Sequence, residues 1–368
     1  MSDQAPEHPL RPYEAVLVQS FGGPEGPDEV LPFLRRVTAG RGVPDERLAE
    51  VGAHYDHVAG VSPLPALNRR LVAELAEELA AGECPLPVAL GNRNSTPFVP
   101  EALDELTADG ARRILVVPTS AWRSYSSCRQ YREGPADAAE GREGLVLDKV
   151  RPFGEHPGFA ATLARDTLAA RAAVAAVGAD HVALLYVTHS IPDAMDETSG
   201  PGDGDGRAYS GDRAEVAAAI TAEVDTVLGT DLPAGLSFCS RSGSPRAPWL
   251  EPDVNDRLRE LAADGVEHVV VVPIGFISDH MEVYYDRDVE AAATADEIGL
   301  AMTRVPTPGA DHAFVAGLVD VMLERAARAR GEQPVRATWR DPDSHPAVCP
   351  TGCCPNLREA RPALCGSD

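Results

Sequence analysis

Short apolar runs rich in valine, isoleucine and leucine alternate with amphipathic stretches along most of this chain, and that alternation leaves few folds open. Residues 15–20, 87–90, 114–118, 182–187, 236–239, 269–272 and 300–305 read as strands. Helical patterns fall between and after them, at 27–36, 44–57, 64–81, 99–109, 157–177, 213–228, 253–263 and 312–330. Strands that are apolar throughout are buried on both faces, and helical crossovers between them make the sheets parallel. The pattern falls into two blocks that meet near 177–181. The expected fold class is therefore α/β, with two doubly wound parallel-sheet domains, residues 1–180 and 181–335, facing each other across a cleft. A short Cys-rich C-terminal tail, 336–368, carries no period. A chain of 368 residues is long enough for two such cores.

A net charge of −24 argues against nucleic acid or an anionic membrane surface as partner. No apolar run approaches the roughly 20 residues that span a bilayer, so membrane insertion is not expected. The first residues lack the basic and apolar segments of a secretory leader. The expected compartment is the cytoplasm, where clustered cysteines read first as metal ligands.

Several strand ends carry chemistry. The run 269–272 leads into a segment bearing Asp279, His280, Glu282, Asp286, Asp288 and Glu290. If that segment is helical from about His280, Glu282, Asp286 and Glu290 share one face. Like charges at that spacing cost roughly 0.2–0.5 kcal/mol per pair. Such a stripe is either solvated or built to hold cations and protons, and its place beyond the carboxyl end of a central strand favours the second use. His189 follows the strand 182–187, where an imidazole can face a cleft and exchange protons near neutrality. Ser190 lacks the elbow of a nucleophile. The glycines of SFGGPEGP (20–27) lack phosphate-loop spacing and suit close approach of backbone to a large flat ligand. The stretch 119–131 offers hydroxyls, aromatics, Arg123 and Arg129, a set suited to gripping carboxylates and an apolar ring.

Cys349, Cys353, Cys354 and Cys365 crowd into 17 residues of the tail. Both zinc and an iron–sulfur cluster want about four thiolates. The spacing is poor for a zinc ribbon, and the adjacent Cys353 and Cys354 would struggle to ligate one metal together, which leaves one tail cysteine over. A further ligand from the body of the protein, such as Cys128, would tie the tail down.

Taken together, SFGGPEGP, HVAGVSPL (57–64), TSAWRSYSSCRQY (119–131), VTHSIP (187–192), SRSGSPRAPWLEP (240–252) and PIGFISDHMEVYYD (273–286) resemble the ferrochelatase family in order and spacing, over roughly residues 13–330. The resemblance implies two Rossmann-like domains around a porphyrin cleft, and insertion of Fe²⁺, as substrate, into a porphyrin. By it, His189 is the acceptor of pyrrole protons and Glu282 its catalytic partner. The set His189, Glu282, Asp286 and Glu290 then forms the metal and proton path. It assigns porphyrin contacts to Phe21, Tyr55, Ser62, Arg123, Tyr125 and Trp249. His54 stands where some relatives carry arginine, and Arg41 is a candidate compensating cation. The short polar segment around 55–65 favours coproporphyrin III, with four propionates, over protoporphyrin IX, with two. The tail cysteines match a branch that carries a [2Fe–2S] cluster, here on Cys128 with Cys349, Cys353, Cys354 and Cys365 less one. Coproporphyrin III and ferrous iron are the implied partners, with transient contact to neighbouring enzymes of haem synthesis. Competing readings are a protoporphyrin IX ferrochelatase, a cobalt or nickel tetrapyrrole chelatase, and a porphyrin carrier without catalysis.

Overall fold

The computed structural model describes residues 8–202, 206–242, 247–340 and 345–364. Strands β1 (Ala15–Ser20), β2 (Val88–Asn92), β3 (Arg113–Pro118) and β4 (Val146–Lys149) form a parallel sheet in the order β2-β1-β3-β4. Strands β5 (Val182–His189), β6 (Ala234–Cys239), β7 (His268–Val272) and β8 (Ala301–Arg304) form a second, in the order β6-β5-β7-β8. The α/β class and the two doubly wound sheets are as the alternation predicts. β4 is the exception: its four residues VLDK mix an exposed valine with polar positions, so no apolar run marks it.

The two orders match step for step. Each sheet reverses its winding between its first and third strands, β1 and β3 in one, β5 and β7 in the other. Crevices open outside the carboxyl ends of strands at such switch points. These four central strands are almost wholly buried because helices cover both faces.

The inner faces of both sheets share one apolar core. Val16, Val18, Leu115 and Val117 of the first sheet join Leu184, Tyr186, Val270 and Val272 of the second through the helices Leu64–Ala81, Pro157–Ala176, Ala208–Leu228 and His312–Ala329. The Trp122 indole donates to the Ile274 carbonyl at 3.0 Å, fixing the loop after β3 against the loop after β7. Two of the helices touch at glycines: a Cβ on Gly317 would lie 2.8 Å from His156 Nδ1. Among the described residues no helix is long and apolar enough to cross a membrane.

His156 caps the helix Pro157–Ala176, its Nδ1 accepting from the Gly158 N–H at 3.1 Å. Burial, with Arg151 adding to it, pulls its pKa down to about 4. A histidine that titrates near 6.5 when unfolded binds its proton more tightly in the unfolded chain. The stability it contributes is therefore complete above about pH 6.5 and is lost as pH falls toward 4, by about 3 kcal/mol in all. His156→Asn keeps the cap acceptor without the titration. Urea unfolding at pH 7 and pH 4.5 should show a smaller acid loss in the variant; parallel losses would contradict the assignment.

Candidate active site

His189 is the last residue of β5 and pairs in the ladder with Cys239 of β6. Its Nδ1–H donates to the Ser190 carbonyl, since a carbonyl oxygen can only accept. That fixes the tautomer and leaves Nε2 aimed at Glu282, 3.6 Å from Oε2. Both side chains keep an open side, 29% of His189 and 52% of Glu282, so the pair sits in a cleft that water and a ligand can enter.

Burial disfavours the imidazolium, but the hydrogen-bonded Glu282 carboxylate outweighs it and raises the His189 pKa. Burial likewise works against the Glu282 carboxylate, yet His189 and His280 hold it down to about 2. Asp286 behaves differently. Its burial and the like charges of Glu282 and Glu290 raise it to about 7, despite the Ser240 hydroxyl that donates to it. Glu290 is also raised, by burial and by Asp253.

The acidic segment is not one regular helix. An α-turn, Met281–Tyr284, gives way to a π-helical stretch, Tyr285–Ala291, and α-geometry resumes at Ala292–Ile298. In a pure α-helix a four-residue step overshoots a full turn by about 40°, and a second step doubles it. The wider π turn undershoots, so the insertion brings Glu282, Asp286 and Glu290 back toward one line. The other acids of the run are spent on ion pairs. Asp279 lies 3.4 Å from Arg287 and 3.1 Å from Arg304, and Asp288 2.7 Å from Arg304. Asp286 and Glu290 have no arginine partner among the described residues.

Residues from the first half of the chain pack directly against the acidic segment. Tyr55 and Met281 share one apolar cluster, with Phe21, Tyr284 and Tyr285 against it. Burial and the nearby Glu282 charge raise the Tyr55 pKa, which places that phenol at the acidic wall. His54 stacks on Tyr285 with ring centroids 3.8 Å apart. Ser62 is buried beside Gly23, where a Cβ would lie 2.8 Å from it, and a Cβ on Gly22 would lie 2.4 Å from Ser95 Oγ. The paired glycines thus let three loops close on one another. Trp249 pairs with Pro192 just beyond His189, and its buried indole N–H has no hydrogen-bond partner among the described residues. Arg41 lies within electrostatic reach of Glu282; partial burial and the charges of Arg358 and Arg93 lower its pKa.

Arg123 lies elsewhere. Its side chain is 5% exposed and is engaged by Asp212 at 2.8 Å and Glu155 at 3.2 Å. Tyr125 stands at the start of the short helix that carries Cys128, with its hydroxyl 3.4 Å from Glu133.

The cysteines converge although 221 residues separate Cys128 from Cys349. Cys128, Cys349, Cys353 and Cys354 form one buried cluster. Among the described residues no three His, Cys, Asp or Glu side chains close tightly enough to hold one metal ion. The thiols are strung along one line of contacts instead, Cys128 3.9 Å from Cys349, Cys349 beside Cys353, and Cys353 3.8 Å from Cys354. Cys365 falls outside the described residues.

Sequence reasoning missed Ser240, Arg93 and Arg358. A signal existed for two of them: Ser240 and Arg93 follow the carboxyl ends of β6 and β2, and Ser240 holds a left-handed backbone at φ 62°. Arg358 sits in the aperiodic tail, where nothing marked it.

The ferrochelatase family profile matches residues 13–326. The chain is 47% identical to the coproporphyrin III ferrochelatase of Streptomyces coelicolor, covering 97% of each chain. It is 44% identical to that of Leifsonia xyli, covering 98% of this chain and 96% of the relative. It is 41% identical to that of Corynebacterium glutamicum, covering 95% and 97%.

Proposed function

The chain belongs to the ferrochelatase family, and on that footing we propose that it inserts ferrous iron into coproporphyrin III, giving the iron coproporphyrin of haem biosynthesis. The observation that carries this reading is the His189–Glu282 pair opening onto an unpaired carboxylate run. Metallation takes in one Fe²⁺ and releases two pyrrole protons, so charge is conserved if both protons leave. His189 Nε2 accepts a proton from the ring, and Glu282 stabilises the imidazolium. Asp286, titrating near 7, can hold a proton and give it up at neutral pH. The same carboxylates compensate the incoming dication.

The substrate assignment rests on the mouth of the cleft. Arg41, Arg93 and Arg358 lie close enough to depress the Arg41 pKa, an arrangement suited to several propionates at once. Tyr125 also lies within electrostatic reach of Arg41, and the Trp249 N–H, without a partner among the described residues, is a further donor.

Glu282→Gln should slow Fe²⁺ insertion into coproporphyrin III at least about 10²-fold, followed anaerobically by loss of porphyrin fluorescence. His189 must be deprotonated to accept a proton, so the rate rises with pH through its pKa. Removing the carboxylate that raises that pKa should move the acid limb of the profile to lower pH. A wild-type rate and an unmoved limb would overturn the pairing.

For the tail we propose a [2Fe–2S] cluster held by Cys128, Cys349, Cys353 and Cys354. A binuclear cluster spreads four thiolates over two irons, so the adjacent Cys353 and Cys354 need not share one iron, as a single ion would require. The surroundings fit an anionic group. Lys149, the only lysine in the chain, is 3% exposed, donates to the Val150 carbonyl at 2.8 Å and has no carboxylate partner among the described residues. Arg132, also buried, donates to the Cys353 carbonyl. Without a cation Cys128 keeps its proton, since the Cys349 thiol and burial raise it well above its ordinary pKa. When bound, the cluster would supply a rigid cross-link and one-electron chemistry that metallation itself does not need. Visible absorption and an EPR signal on reduction are expected, both lost in Cys128→Ser. Zinc, or no metal, in the purified protein would refute the cluster.

A further inference from the structure

The strand ladder around His189 is incomplete on one side. Alternate residues of β5 point toward β6 and toward β7. The Val187 carbonyl, on the β7 side, accepts from the Gly275 N–H at 3.2 Å. β7 ends at Val272, so the His189 carbonyl, pointing the same way two residues later, has no strand beside it. The Tyr209 hydroxyl takes that place. It donates to the His189 carbonyl at 2.6 Å and lies 3.3 Å from Thr188 Oγ1. Its ring is 2% exposed and packs on the Arg213 guanidinium, 3.4 Å from the ring centroid.

The other end of Tyr209 leads to the tail. Its N–H donates to Ser199 Oγ at 2.9 Å, and Ser199 Oγ donates to the Asp196 carbonyl at 2.7 Å. The next residue, Gly200, exchanges two hydrogen bonds with Cys354. Its N–H donates to Cys354 Sγ at 3.2 Å, and its carbonyl accepts from the Cys354 N–H at 2.8 Å. Both residues hold left-handed backbone there, φ 109° at Gly200 and φ 51° at Cys354. For Cys354 such a conformation is held only where its surroundings impose it.

We propose that Tyr209 is a positioning residue for His189, and that the cysteine-bearing tail holds Tyr209 in place through Ser199 and Gly200. The inference rests on reading His189 as the proton acceptor. The side-chain contacts from Cys354 to Tyr209 are buried and the last, to the His189 carbonyl, is partly so, and along them a rearrangement at the tail cysteines reaches the peptide that orients the imidazole. A general base works only within a narrow window of distance and angle, and its supporting contacts set that window.

Tyr209→Phe keeps the ring and its packing on Arg213 and deletes only the hydroxyl. It should lower kcat for Fe²⁺ insertion about 10-fold, the effect of one well-placed hydrogen bond, with the KM for coproporphyrin III unchanged. Ser199→Ala should lower kcat less, and the double variant should be no slower than Tyr209→Phe alone, because the two act in series. The His189 ring resonance, assigned by its loss in His189→Asn, should shift in both Tyr209→Phe and Cys354→Ala with no porphyrin present. Wild-type kcat and an unmoved resonance in Tyr209→Phe would overturn the positioning role. Additive effects of the two substitutions, or an unmoved resonance in Cys354→Ala, would overturn the link to the tail. Should His189→Asn itself keep turnover, the reading of the base fails instead; inactivity there beside full activity in Tyr209→Phe isolates the failure to Tyr209.

Discussion

His189→Ala should lower Fe²⁺ insertion into coproporphyrin III by about 10²–10⁴-fold, the range for losing a positioned base. The protein should stay folded. The imidazole keeps 29% of its side chain open to the cleft, so truncation leaves no sealed cavity, and the backbone pairing of β5 with β6 through Cys239 does not depend on the side chain. Coproporphyrin binding, followed by fluorescence, should change little, which separates a lost base from a lost pocket. Turnover near the wild-type level would sink the assignment.

Arg123→Met should cost about 3–5 kcal/mol of stability, the range for breaking a buried ion pair from one side. The guanidinium is shared between Asp212 at 2.8 Å and Glu155 at 3.2 Å, both with almost fully buried side chains. Asp212 also takes Arg340 and His345 from the tail, and Glu155 takes Arg336 at 3.1 Å. One network therefore ties the loop after β3 to the helix Ala208–Leu228 and to the tail. Burial works against the Asp212 carboxylate, but His345 and then Arg123 outweigh it and hold its pKa well below the ordinary range. An acid with a depressed folded pKa contributes stability above its unfolded value, near 3.9, and loses it as pH falls below that. Urea unfolding should show the loss in Arg123→Met at neutral pH, with the KM for coproporphyrin III nearly unchanged. A raised KM in a protein of wild-type stability would instead put Arg123 against the substrate.

The strands of this fold could be read because buried parallel strands leave no polar positions, and seven of them stand out in the chain. β4 could not, since an edge strand with Val146 exposed and Asp148 in its middle looks like loop. The acidic run was visible, but not its division. Asp279 and Asp288 are neutralised by Arg287 and Arg304, and Arg304 lies on β8, outside the run. The π turn at Tyr285–Ala291 is a matter of hydrogen-bond register, which no residue type announces. Cys128 could be matched to the tail because few residues share thiolate chemistry. Arg123 gave no such sign, for its fate depends on Asp212, 89 residues away.

The most direct test is an anaerobic assay of the purified protein with Fe²⁺, comparing coproporphyrin III and protoporphyrin IX at equal concentration. A mouth that gathers Arg41, Arg93 and Arg358 with Tyr125 predicts a higher kcat/KM for the four-propionate ring. A preference for protoporphyrin IX, or tight binding of coproporphyrin III with no metallation, would contradict it.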